Sequence, residues 1–500
     1  MYGPAMRNNS QRLLFPALLA ATTMPGLTAL AEDAAPSAPS PAEASTASAP
    51  PAMPAAEPEV TPAPAATPMP VSPTAAVTAA APAKPTGVSS KFAAELYGFV
   101  ELDSIHDSTE TFDDLAGNKA IQRGNVYAGS HQRTMFGARN SRIGFKMKGP
   151  ESDDVKTSAI MEMDFFGNQP SDASQSAFFV NPTFRIRHFA LKLETPIVDI
   201  LFGQYWQLFG WQSMFHPNSV QIQGLPGQVY SRTPQIRVSK TIKTDPLNIE
   251  IAVAASRPVQ RDGSMPDGQA GLKLVLNDWK GLHTAGSTGT AIDGAAIGVS
   301  GIVRRFELPE FAATPVASKV KYGSGVSIDA LIPVIPATPE NRGNSLTLTG
   351  SFVRGTGIAD LYSGLSGGIS FPAVDAKGTA YAANVDSGLV VVDDVAPYDF
   401  HTINWLSYMA GFQYYLPPSG SVWISGNISG MQSSNLGSFA QQYGTAAKVF
   451  DHSLWADGNL FVDVNKAVRL GAEFAYFRQT YADGQKAHNY RGQFSAFYIF

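Results

Sequence analysis

The sequence predicts an all-β fold: a transmembrane antiparallel β-barrel of about 16 strands behind a disordered, Pro/Ala-rich N-terminal arm. Three observations carry this. From Phe92 onward apolar and polar residues alternate with a period of two, segment after segment, which sends them to opposite faces of a strand. Only 15% of the 500 residues are charged, yet beyond the N-terminus no apolar run is long enough for a helical span. The last segment places Tyr490, Gly492, Phe494, Ala496, Tyr498 and Phe500 on one face, against Arg491, Gln493, Ser495, Phe497 and Ile499 on the other.

A chain that stops on a Phe preceded by alternating aromatics resembles bacterial outer-membrane barrels. In those proteins this ending is the signal read by the barrel assembly machinery, so Phe500 and Tyr498 are expected in that role. Lipid and that machinery are then expected partners, and the bacterial outer membrane the expected location.

The N-terminus agrees with export. Arg7 and Arg12 precede an apolar run from Leu13 to Leu30, interrupted by Pro16 and Pro25, and Ala29-Leu30-Ala31 forms a small-x-small cleavage site, so residues 1–31 read as a signal peptide. Residues 32–90 are almost wholly Ala, Pro, Ser, Thr and Val, whose repeated Pro steps deny helix and sheet their backbone donors. Such a periplasmic arm extends about 3.1 Å per residue, reaching beyond about 100 Å if straight. It is either a tether to the cell wall or a linker with no partner of its own. The sequence has no Cys, which excludes disulfides, thiolate metal sites and Cys nucleophiles. A net charge of −5 without a basic tract argues against nucleic-acid binding.

The barrel domain, 91–500, reads strand by strand. Leu96, Val100 and Leu102 oppose Tyr97, Glu101 and Asp103; Ile143, Phe145 and Met147 oppose Arg142, Lys146 and Lys148, pairing with the first as an opening hairpin. Met161 and Met163 oppose Glu162 and Asp164. The next strand, near Phe184 to Leu193, has no settled orientation, because Arg185 and Arg187 share parity with Phe189 and Leu191. Ile200 and Phe202, then Ile236 and Val238, then Ile249, Ile251 and Val253 continue the rule. So do Leu272 and Leu274, Ile297 and Val299, Val326 and Ile328, and Leu346 and Leu348. The final hairpins are the clearest, with apolar even positions from Leu406 to Tyr476 against polar odd ones such as Ser425, Asn427, Asn459 and Glu473. Tyr414, Tyr415, Trp423, Tyr476, Tyr481, Tyr490 and Tyr498 gather near strand ends, where headgroup-level girdles are expected.

The segment from Trp206 to Arg232 is too long and too aromatic for an idle connection. It follows the fifth strand and is expected to fold inward as a constriction loop, with Trp206, Trp211, Phe215, His216 and Tyr230 in it. Here the motifs Ala138-Arg139-Asn140-Ser141-Arg142-Ile143-Gly144-Phe145, Phe202-Gly203-Gln204-Tyr205-Trp206 and Arg232-Thr233-Pro234-Gln235-Ile236-Arg237 resemble the DcaP-like trimeric outer-membrane porin family, over roughly Leu96 to Phe500. The resemblance implies a homotrimer that passes small anions, often dicarboxylates, through a basic constriction.

The residues that fit are Arg139, Arg142 and Lys146 on the second strand, Arg185 and Arg187 on the fourth, and Arg232 and Arg237 at the sixth. Guanidinium forks bind carboxylates bidentately. Glu162 and Asp164, with Glu101 and Asp103, are expected across the lumen from them, creating a transverse field. Two rival readings are a general-diffusion or sugar-preferring pore with Trp206, Trp211, Phe215 and Tyr230 along a greasy path, and a structural or adhesive barrel with a plugged lumen. No cofactor, metal site or enzyme is expected: the eight His residues show no paired ligand spacing, and no nucleophile, base and orienting acid can be placed together.

Overall fold

The computed structural model of the chain describes residues 92–500, apart from 151–153, 168–182, 222–223, 261–262, 286–288, 313, 367–383, 386–389 and 394–396. The expected signal peptide and arm lie outside the described residues.

The strands are β1 (Ala93–Asp107), β2 (Arg133–Gly137), β3 (Arg142–Lys148), β4 (Lys156–Asp164), β5 (Arg185–Glu194), β6 (Asp199–Trp206), β7 (Arg232–Lys243), β8 (Leu247–Ser256), β9 (Asp267–Thr284), β10 (Thr290–Pro309), β11 (Ser318–Ile335), β12 (Ser345–Thr356), β13 (Asn384–Val385), β14 (Val390–Val392), β15 (Phe400–Thr402), β16 (Asn404–Tyr415), β17 (Val422–Ser433), β18 (Phe450–Asp463), β19 (Val468–Tyr481) and β20 (Lys486–Ile499). Seventeen of them form one sheet, and β13–β15 form a second, small one in a loop. Because β2 and β3 both pair with β1, at its two ends, they occupy one position, leaving sixteen around the barrel. Closure comes from β1, which pairs with β3 on one side and with β20 on the other, from Phe99↔Ile499 to Asp107↔Arg491. The last residue joins this seam: Gly98 N–H donates to the Phe500 carbonyl at 3.0 Å, and Phe500 N–H donates to the Gly98 carbonyl at 3.1 Å.

Alternation places the apolar set outside. Val100, Ile251, Val303, Ile328, Phe412 and Phe494 all face outward and exposed, whereas Ser327, Thr347, Gln479 and Ser495 are buried inside. An aqueous exterior would penalise that arrangement and hydrocarbon rewards it, so the barrel spans a membrane. One rim carries short turns such as Thr195–Val198 and Thr244–Leu247 (the turn end), and the other carries the long connections (the loop end).

One orientation left open by the sequence is resolved and one expectation is corrected. The ambiguity of β5 is a β-bulge: Glu162 pairs with His188 but Met163 with Ile186, so Arg187 is the extra residue. Arg187 and His188 therefore both point inward, and Phe189 and Leu191 face out. Tyr415, Trp423 and Tyr481 are not girdle residues. All three sit at inward parity: Trp423 stacks on Phe461 at 3.9 Å and on Tyr415 at 5.2 Å between centroids, filling the lumen wall near the turn end, and Tyr481 packs among the inward-folded loops at the loop end. Tyr490 and Tyr498 do face outward.

At the loop end the connections fold inward. Phe112 and Ile121 from the first, Phe209 and Leu225 from the third, Leu361 and Tyr362 from the sixth and Leu436 from the seventh share one buried apolar cluster with wall residues Phe306, Trp405 and Phe477. Six or more buried aromatic and aliphatic side chains at about 1.5–3 kcal/mol each are ample to hold these loops in place.

Candidate functional site

The third connection at the loop end, residues 207–231, crosses the lumen. Its first turn is strained, since Trp211 and Ser213 adopt left-handed φ of 40° and 75°. Strain of about 1–3 kcal/mol per residue is expected there. It is offset by the wedge that Trp211 and Phe215 make against Ala252, Ala254, Ala296 and Leu331 on the wall. Burying an indole removes about 150–250 Å² from water, worth roughly 4–6 kcal/mol at 25 cal/mol per Å². The wall is cut to receive it: a Cβ added to Gly298 would lie 2.6 Å from Trp211 and 3.0 Å from Phe215, and one on Gly271 would lie 2.8 Å from Trp211. Phe209 N–H donates to Gln269 at 2.8 Å and Gly210 N–H to the Ser300 hydroxyl at 2.7 Å, fixing the near end.

The far end docks on the opposite wall. Val220 N–H donates to Asn459 Oδ1 and Gln221 N–H to Glu473 Oε2, both at 2.8 Å, while the Ser425 hydroxyl and Asn427 Nδ2 donate to the Asn218 carbonyl. This docking was not legible in the sequence. The alternation marked Asn427, Asn459 and Glu473 as inward, but nothing in it says which loop they hold.

The opening left beside the loop is walled by β3–β7. Asp164 receives the fork of Arg185 at 2.9 and 2.6 Å and Arg187 Nη1 at 3.0 Å; Glu162 accepts Arg187 Nε at 2.7 Å and the Tyr97 hydroxyl at 3.0 Å. Arg142 Nε approaches Glu162 only to 3.6 Å. Arg187 also donates to the Tyr230 hydroxyl at 3.2 Å, and Arg232 lies over the rings of Trp206 and Tyr230 at 4.9 and 5.3 Å. His216 stacks on Tyr230 at 5.3 Å, and Trp206 meets both edge-on.

The expected transverse field is therefore corrected. Glu162 and Asp164 do not face the arginines across the lumen but interleave with them on one wall, because β4 and β5 are neighbours whose register sets Asp164 opposite Arg185. The field is weaker than separated rows would give, yet it is not cancelled. Four guanidiniums (Arg142, Arg185, Arg187, Arg232) against two carboxylates leave +2. Arg142 Nε, Arg232 Nη1 and His188 Nδ1 are buried without a hydrogen-bond partner.

The other candidates divide. Arg139 pairs with Asp114 of the first loop at 3.0 Å, above the cluster. Lys146 lies toward the turn end, over the Tyr97 ring at 4.6 Å and 3.8 Å from Glu95. Arg237 is on the inner face of β7, but its partners are the Trp206 carbonyl and Gln235, so it secures the start of the loop and does not reach the acids. Trp211 and Phe215 are wedged in the wall, which leaves Trp206, His216 and Tyr230 as the aromatic side of the opening. Among the described residues no group of three His, Asp or Glu side chains is disposed to hold a metal ion.

Two spaces meet here. The narrow one, about 100 Å³, is lined by Arg142, Glu162, Arg187, His188, Trp206, His216 and Tyr230 with the loop's Asn218, Ser219 and Gln221. At about 30 Å³ per water it holds about three. Above it, toward the loop end, a space of about 620 Å³ is lined by Lys119, Arg139, Arg185 and Arg232, and Tyr230 borders both. Burial pushes the Tyr230 phenol up, but Arg187, Arg232 and Arg142 outweigh it and bring it down to about 8. Burial, helped by Arg232, His283 and Arg187, pushes His216 down to about 3, so it is neutral at pH 7 and adds no charge.

No protein-family model and no curated protein matches this sequence. Solved structures do. The outer membrane channel DcaP of Acinetobacter baumannii is 18% identical, covers 82% of this chain and 97% of its own, and superposes with a TM-score of 0.58. An anion-selective porin from Comamonas acidovorans is 10% identical over 82% of this chain and 100% of its own, at a TM-score of 0.44. The first likeness, over nearly the whole described barrel, shows the fold: the chain is a sixteen-position antiparallel barrel of the kind found in bacterial outer-membrane channels.

Proposed function

We propose that the protein is an outer-membrane porin that passes small hydrophilic solutes passively and favours small anions, dicarboxylates among them, at the Arg142–Arg187–Arg232 constriction. The observation that carries this reading is a cluster of net charge +2 whose Arg142 and Arg187 line the narrow space and whose Arg185 and Arg232 line the wider one above it. A solute squeezed through a volume of about three waters sheds hydration, and the positive charge of the wall compensates that loss for an anion and not for a cation. At 5 Å and an effective dielectric of about 20, each uncompensated charge is worth about 3 kcal/mol before desolvation is subtracted. The sugar-preferring alternative loses two of its four aromatics, since Trp211 and Phe215 pack into the wall.

Succinate tests the reading. In planar bilayers it is expected to reduce the chloride current in a concentration-dependent way, while neutral succinamide of the same length does not; equal block by both counts against carboxylate recognition. A homotrimer is part of the same proposal. Strands β3–β8 are only 7–12 residues long against 12–20 for β9–β12 and β16–β20, and neighbouring copies would cover that low wall. Assembly through Tyr498 and Phe500, both outward-facing at the seam, completes it. Phe500→Ala is expected to lower the yield of heat-modifiable barrel in membranes, and an unchanged yield removes the residue from that role.

The charge of the opening is expected to depend on pH with a definite sign. Raising pH through about 8 ionises Tyr230 and adds one negative charge beside Arg187, taking +2 to +1. Anion preference, read as reversal potential under a salt gradient, should therefore fall between about pH 7 and 9 and stay flat in Tyr230→Phe.

A further inference from the structure

The outer surface of β11, β12, β16 and β17 carries two spaces, one above the other. The upper, about 750 Å³ at the loop end, is lined by Val326, Arg354, Leu406, Gln432 and His452, with Ser324, Asn404 and Ser434 around it. The lower, about 520 Å³, lies on the same four strands and is lined mainly by Ala330, Ile332, Leu348, Gly350, Ala410 and Phe412. Four residues separate Val326 from Ala330, so the two are centred about 13 Å apart along the strands.

The register explains both. One cross-strand line on the outer face runs from Val326 through Arg354, Leu406, Gln432 and His452 to Lys486. The next line toward mid-barrel runs Ile328, Phe352, Tyr408, Leu454, Arg478 and His488, and the one below it Ala330, Gly350, Ala410, Ile428, Tyr476 and Tyr490. Within two steps the surface passes from small and aromatic residues to cations. The lower groove exists because Ala330, Gly350 and Ala410 lie side by side between bulky Phe352 and Tyr408 above and Ile332, Leu348 and Phe412 below. Arg354 and Arg478 are exposed and make no ion pair among the described residues. His452 is held by Asp451 at 2.7 Å, and that is the one carboxylate against this line among the described residues.

The geometry points to a seat for a phosphorylated glycolipid of the loop-end leaflet, its phosphate on Arg354, its sugar hydroxyls among Gln432, Asn404 and Ser434, and an acyl chain in the Gly350 groove. Charge complementarity selects this occupant: guanidinium forks match phosphate oxygens, the amides and hydroxyls beside them match sugar, and an apolar channel directly beneath fits a chain covalently joined to that head. A second copy of the barrel would instead bring Arg354 toward like charge or leave it unpaired in an interface. The inference rests on the membrane placement of the barrel and not on which solute the lumen passes.

The test uses the purified full chain in zwitterionic micelles, with bisphosphorylated lipid A, its dephosphorylated form and inorganic phosphate as probes, and bound lipid counted by native mass spectrometry. Lipid A is expected to bind at least about tenfold more tightly than the dephosphorylated form, a difference of about 1.4 kcal/mol. Millimolar inorganic phosphate should not displace it. Arg354→Glu should erase the phosphate preference, and Gly350→Leu, which fills the groove, should weaken both lipids. Neither residue borders the lumen, so unchanged single-channel conductance verifies that each variant is folded. Equal binding of the two lipids, or an Arg354→Glu variant that keeps the preference, overturns the proposal. So does an Arg354→Glu variant whose oligomer falls apart while lipid binding is unaltered, which gives the surface to a second copy.

Discussion

Arg142→Glu is expected to abolish the anion preference of the channel, while Arg237→Glu leaves it nearly unchanged. Both arginines sit on inward faces of the same wall and the sequence does not separate them. The structure does. Arg142 borders the narrow space with an unpartnered Nε, whereas Arg237 is turned onto the Trp206 carbonyl and Gln235. Replacing Arg142 by Glu changes the cluster by two charges, from +2 to 0, and adds an acid beside Glu162 at the narrow space. At about 3 kcal/mol per charge before desolvation, a shift in the anion-to-cation permeability ratio of tenfold or more follows. Reversal potentials of the two variants in one salt gradient measure it. Equal shifts in both variants would show that the whole wall, and not the opening beside Tyr230, sets selectivity.

Freeing the far end of the crossing loop is expected to have the second large effect. Asn459→Ala with Glu473→Ala removes the acceptors of Val220 N–H and Gln221 N–H, both buried. Each unsatisfied buried donor costs about 1–3 kcal/mol, so the docked position loses about 2–6 kcal/mol. The near end keeps its Trp211 and Phe215 wedge, so the loop should swing on that hinge and not unfold. Single-channel conductance should rise severalfold, with flicker between levels, while the barrel stays heat-modifiable. A conductance equal to that of the parent protein means the loop is held without these two acceptors, by the Ser425 and Asn427 hydrogen bonds to Asn218 and by its apolar contacts.

How much of this was legible in the sequence follows from the period of a strand. Burial on one face only is a local rule, so the sixteen barrel positions, and the inward and outward sides of all but the fourth, could be read from residue spacing. The rule breaks at Arg187–His188, where one inserted residue turns both side chains inward; the parity clash of Arg185 and Arg187 with Phe189 and Leu191 was the trace of that bulge. It also fails for Tyr415 and Trp423. Aromatic residues at strand ends suit either a headgroup girdle or a lumen wall, and only parity relative to Tyr414 and Ile424 distinguishes them. The candidate arginines could be listed from the sequence, but which of them meet depends on cross-strand register. Asp164 opposite Arg185 turns an expected field across the lumen into a mixed wall with a residual +2. The inward first and sixth loops were missed because Phe112, Ile358 and Leu361 make contacts across hundreds of residues that no local pattern encodes.

The central claim, that a basic opening beside Tyr230 sets the passage of solutes, is tested most directly by one recording. The barrel is reconstituted in a planar bilayer under a tenfold KCl gradient and the zero-current potential is read at pH 7. A potential of the sign set by chloride, with conductance steps grouped in threes, is the expected result. A silent membrane, or a potential of the sign set by potassium, contradicts the account.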